Sequence, residues 1–192
     1  LISTTIQRIR GLLFSPSAEF ARIAAEPTDV PVLVRRFLVP LALLTPIATV
    51  VGMNAFDVAW DVDQGYRVPK ERILNIGLAN FAFEVITVLM AGLIFFVLTT
   101  ADQQERSLVR SMNVAVYGAV PLMLSGVLLF VPMNVTICMA AMVHTFILYW
   151  IGVQKVMHIR PANASLFVAL VMIVLFGAST ILGALSSMIG VL

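Results

Sequence analysis

From Ile73 to Thr100 the chain is apolar for long enough to cross a bilayer as a helix, with one charged residue, Glu84, inside the run. A spanning helix needs roughly 20 apolar residues, and four more runs approach or exceed that length, at about 38–56, 114–132, 135–153 and 166–192. In lipid every backbone polar group must be satisfied internally, so runs of this kind leave little choice but helix. Composition agrees: with 60% hydrophobic and 11% charged residues, a chain of 192 has more apolar surface than a soluble core of that size can hide. The expected fold is all-α, a polytopic helical membrane protein with five transmembrane helices preceded by short amphipathic surface helices. Residues 1–37 are expected to form a cytoplasmic amphipathic segment, and 38–192 the five-helix transmembrane domain. The second and fifth runs are long enough to tilt or project from the hydrocarbon. Pro132, Met133 and Asn134 leave so little linker between the third and fourth runs that a helical hairpin is expected there.

Ahead of the first span, Ile2, Ile6, Ile9, Leu12 and Leu13 recur at helical spacing, with Gln7, Arg8 and Arg10 largely off that stripe. Arg8 and Arg10 interrupt the pattern, and no apolar block suits a secretory signal. Ser15-Pro16 is a helix-start pair, and a second short pattern at Phe20, Ile23 and Ala24 closes at Pro27. Two short helices follow, lying either along the membrane surface or on the protein's own cytoplasmic face. Arg8, Arg10, Arg22, Arg35, Arg36, Arg106, Arg110, Lys155 and Arg160 fall on one side of a five-span topology, with Arg67, Lys70 and Arg72 opposite. Basic residues are retained inside, so the amino terminus is expected in the cytoplasm and the carboxyl terminus outside. A net charge of +2 gives no basic patch for a nucleic-acid partner.

A charge near the membrane centre costs at least about 2.5 kcal/mol, so Glu84 should be neutral, paired or facing a wet interior. Glu84 lies eleven residues into its run and His144 nine into a run of the same direction, which makes a Glu84–His144 hydrogen bond an expectation from depth. With Asn80 beside them, the three residues form an intramembrane polar site: a proton relay or coupling site on one reading, interhelical bonds holding the bundle on the other. The external loop 57–75 holds Asp57, Asp61 and Asp63 without calcium-loop spacing, and Trp60 and Tyr66 suit interfacial anchors. No metal and no cofactor is expected, since Cys138 is alone and the two histidines are not at ligand spacing. No nucleophile stands beside a base and no phosphate loop is present, so an enzyme is not expected.

Other patterns point to packing. Ser179, Gly183 and Ser187 are spaced by four in the last run, Ser186 and Gly190 repeat that spacing, and Ala48 and Gly52 do so in the first. Small residues at this spacing let another helix approach closely, in this chain or another copy. Pro121 should kink the third span around Tyr117 and Gly118. The expected partners are membrane lipids and other membrane protein subunits or a second copy of the chain.

The order of these parts resembles the Yip family, in particular its bacterial members. IQRIRGLLFSPSAEFARIAAEP is similar to the family's opening, matched at Pro16, Glu19, Phe20 and Ile23. VAVYGAVPLMLSGVLLFVP and HTFILYWIGVQKVMHI are similar to its third and fourth spans, matched at Tyr117, Pro121, Pro132, Tyr149 and Gly152. The resemblance implies five spans, a cytoplasmic amino terminus, no catalytic residues and, for a bacterial chain, the inner membrane. Eukaryotic relatives interact with Rab GTPases, but without their long acidic amino-terminal region that property is not expected to transfer. The function expected is a non-catalytic integral membrane scaffold or accessory subunit working through helix contacts and membrane-surface contacts. The alternative is a small transporter or channel using the Glu84/His144 site.

Overall fold

The computed structural model describes residues 2–56, 70–99, 107–130 and 135–188. Trp60 and Tyr66 of the 57–75 loop, Pro132 and Gly190 lie outside the described residues. Every regular element among those residues is helical. Five stretches are long and apolar enough to span a membrane: Val30–Asn54, Arg72–Leu98, Leu108–Leu128, Ile137–Lys155 and Pro161–Ile181.

Two short helices come first, α1 (Ile2–Phe14) and α2 (Pro16–Ala25), with Pro16 in the first turn of α2, where its missing N–H costs nothing. The first span is assembled from pieces: α3 (Val30–Leu33), a π-helical turn (Val34–Leu38), α4 (Val39–Ala42) and α5 (Leu44–Phe56). Proline explains the fragmentation. Pro40 follows the π turn and Pro46 follows the break at Leu43, each removing a hydrogen bond to the preceding turn. The second span is one long helix, α6 (Lys70–Leu98). The third is α7 (Leu108–Gly118), α8 (Val120–Ser125) and a 3-10 turn (Gly126–Phe130), interrupted at Ala119, two residues before Pro121. The fourth and fifth are α9 (Val135–Lys155) and α10 (Pro161–Met188).

Three of these helices begin before hydropathy rises. The first starts at Val30 and not near 38, the third at Leu108 and not near 114, and the fifth at Pro161 and not near 166. Caps set the starts: the Ser107 hydroxyl accepts the Arg110 N–H at 3.3 Å, and Pro161 opens α10. Arg35, Arg36 and Arg110 therefore sit on membrane helices, where long stems can carry the charge out to water.

The third span occupies the middle of the bundle. α7 packs against α6 and α9, α8 against α9 and α5, and α10 closes the outside against α6 and α9. Val114, Ala115, Val116 and Val120 are accordingly fully buried. Leu166, Ile173 and Phe176 on α10 stay exposed, which is free of hydrophobic penalty in lipid. The amino-terminal pair is not spread on a surface away from the protein, because α2 packs on α9 and Leu12, Phe20 and Ile23 are buried. Together α1 and α2 form a cap over the end of the bundle that carries most of the basic residues.

Candidate functional site

The joint between cap and bundle gathers most of the residues singled out by the resemblance. Phe20 points from α2 into the fourth span beside Gly152, where a Cβ would lie 3.1 Å from the Phe20 ring and 3.1 Å from Val114. A side chain there would push the ring or Val114 back by a few tenths of an ångström, so the bare backbone of glycine gives the closest seat. One helical turn away, Tyr149 packs the Cδ1–Cε1 edge of its ring against Gly118 of the kinked third span, where a Cβ would collide. Its hydroxyl donates to the Ala115 carbonyl at 3.4 Å. The kink and the tyrosine therefore belong together: the break at Ala119 lets the third span bend past a ring held by the fourth.

Aromatic rings extend this joint through the bundle. Phe95 of α6 meets Tyr149 edge-on with centroids 5.1 Å apart, and Phe167 of α10 lies 6.0 Å beyond Phe95. On the other side Phe37 meets Tyr117 edge-on at 4.7 Å. Such pairs add about 0.5–1.5 kcal/mol beyond area burial in water. All five spans thus contribute at least one ring to this layer.

Above it sits a charged lock. Arg8 of α1 lies over the Tyr117 ring at 5.4 Å and donates through Nη2 to both Glu26 carboxylate oxygens, at 2.9 and 2.7 Å. Its Nε stands 3.8 Å from buried Glu19, which also accepts from Arg22 at 3.4 Å. Arg8, placed off the apolar stripe by its charge, is in fact the hub that joins both cap helices to the third span. The available sequence signal was its position opposite two acids, Glu19 and Glu26, across a proline-started turn.

Glu84 and His144 are not partners. Glu84 shares a cavity with Thr45, its Oε2 is buried without a partner among the described residues, and His144 Nε2 is likewise unpartnered. The Phe95–Tyr149 contact gives the reason. α6 and α9 run the same way, so eleven residues before that contact Glu84 is level with Cys138, and His144 lies six residues deeper, roughly 9 Å at 1.5 Å per residue. α6 overhangs the start of α9, so depth counted from the helix beginnings misleads. Glu84 instead lines a cavity of about 250 Å³ with Thr45, Thr87, Met123, Ser125 and Cys138. Thr87 Oγ1 is also unpartnered, and the Ser125 hydroxyl donates to the Leu122 carbonyl at 2.7 Å.

Asn80 is half-buried one turn before Glu84 and is not among the cavity's lining residues. Ala48 and Gly52 are buried within this chain, on the helix that packs against α6. Ser179 is half-buried on α10, and Gly183 and Ser187 lie on the same helix; Gly177, on another side of α10, has nothing within 4 Å of where a Cβ would stand.

Comparison with curated proteins and with solved structures gave no match. A family model, the Yip1 domain, matches residues 10–183, a stretch that begins inside α1 just after Arg8 and takes in α2 and all five spans. This chain is an integral membrane protein that belongs to the Yip family.

Proposed function

We propose that the chain is a non-catalytic membrane scaffold or accessory subunit, acting through helix contacts in the bilayer and through its cap at the membrane surface. The observation that supports this most is the convergence of Glu19, Phe20, Tyr117, Tyr149 and Gly152 on one joint. Glu19, Phe20, Tyr117 and Gly152 are engaged in seating the cap, and Tyr149 braces the spans one turn away, so cap and bundle present one platform. The platform turns Arg10, Arg35 and Arg36 outward, with Phe14 79% exposed beside a groove between α1 and α2. An aromatic ring among arginines suits the headgroup layer or the polar rim of another subunit. The positive-inside rule makes this end cytoplasmic, with the amino terminus inside and, in a bacterium, the inner membrane as the site. The partners proposed are lipids and further membrane subunits or a second copy, with the apolar flank of α10 as their contact.

Purification in mild detergent or native nanodiscs, with the intact mass of the assembly, tests this reading. A defined complex holding a different subunit supports it. A lone chain recovered under the same conditions contradicts it.

A further inference from the structure

The cavity at Glu84 is walled by α5, α6, α8 and α9, and its makeup specifies a ligand more narrowly than its position does. Phe83, Val88, Leu122 and Met123 make most of the lining apolar. Against that wall stands one carboxyl group whose Oε2 has no partner, with the unpartnered Thr87 hydroxyl three residues on along the same helix face. Ligand pockets have this composition: apolar walls with a few convergent polar groups that fix orientation. The volume, about 250 Å³, exceeds the roughly 150 Å³ of a cavity that holds benzene. A single aromatic ring with a short side arm fits. An ionised carboxylate in the hydrocarbon region is relieved by a cation brought to it, and an ammonium supplies both the charge and the donor that Oε2 lacks. An anion is refused by Glu84, and a hydrated metal ion finds too few oxygens in so apolar a wall.

We propose that this cavity binds a lipophilic amine, its ring among Phe83, Val88 and Met123 and its ammonium on Glu84 Oε2, with Thr87 as a second acceptor. Occupancy of the cavity neither requires nor excludes the scaffold role.

The test uses the full chain in nanodiscs of zwitterionic lipid, with 2-phenylethylamine as the probe and 2-phenylethanol as its neutral counterpart of similar size. The amine should bind saturably, one per chain, about tenfold or more tighter than the alcohol, and Glu84→Gln should remove that difference. It should also slow the modification of Glu84 by dicyclohexylcarbodiimide in the unmutated protein, read by peptide mass. That second readout decides the matter if Glu84→Gln does not reach the membrane. Equal binding of amine and alcohol, binding unchanged by Glu84→Gln, or labelling of Glu84 unaffected by the amine would each overturn the proposal.

Discussion

Phe20→Ala isolates what holds the cap. The ring is fully buried against Gly152, on a residue outside the membrane spans, so its loss leaves the bundle's own contacts in place. Truncating a buried phenylalanine costs about 3–5 kcal/mol. Cap opening is a local event, so that cost falls on the closed-to-open equilibrium of α1 and α2 and not on global unfolding. At 1.4 kcal/mol per factor of ten, the open population should rise about a hundredfold or more. Tryptic cleavage at Arg10 and Arg22 reads this population, because both sit on helices that must unwind to enter a protease. With the protein in nanodiscs, Phe20→Ala should be cut about a hundredfold faster within the cap, while Phe14→Ala, at a position 79% exposed, should match the unmutated chain. Cleavage of Phe20→Ala within about threefold of the unmutated rate would refute the seat described for this ring.

Two glycines should respond in opposite directions. Gly118→Ala drives a Cβ into the Tyr149 ring and should lower the melting temperature in detergent, overpacking typically costing about 1–3 kcal/mol, whereas Gly177→Ala meets nothing within 4 Å and should hold or raise it by up to about 1 kcal/mol of helix propensity. A Gly177→Ala protein that melts below Gly118→Ala would contradict both placements. His158 adopts φ 57° just after α9, a left-handed backbone that costs a side chain roughly 1–2 kcal/mol, so His158→Gly should raise thermal stability; a fall would mean that the imidazole contributes a contact. Glu19→Gln removes the charge shared by Arg8 and Arg22 while Arg8 keeps Glu26, so cap cleavage should speed up by an amount equivalent to about 1–3 kcal/mol, and an unchanged rate would show that Glu26 alone secures Arg8.

The five spans were legible because hydropathy over some twenty residues is a strong signal, and the kink before Pro121 because proline has one local consequence. Helix starts were not, since Ser107 and Pro161 set them through capping and lie outside the apolar runs. The cap was legible as two amphipathic helices, but its setting was not: the stripe at Leu12, Phe20 and Ile23 reads the same whether it meets lipid or protein. What decides is Gly152, far away in sequence, whose missing side chain admits Phe20. Glu84 was legible as anomalous, and its neighbours were not, because the register of α6 against α9 is fixed at Phe95 and Tyr149 and not at the helix ends.

The intact mass of the assembly, measured side by side for the unmutated chain and Phe20→Ala in native nanodiscs, tests the central claim most directly. A scaffold with a seated cap predicts that the unmutated chain is recovered in a complex of fixed mass with at least one other subunit, and that Phe20→Ala sheds that subunit while its spans remain inserted. A single chain in both preparations would contradict the scaffold role, and identical complexes in both would contradict the part assigned to the cap.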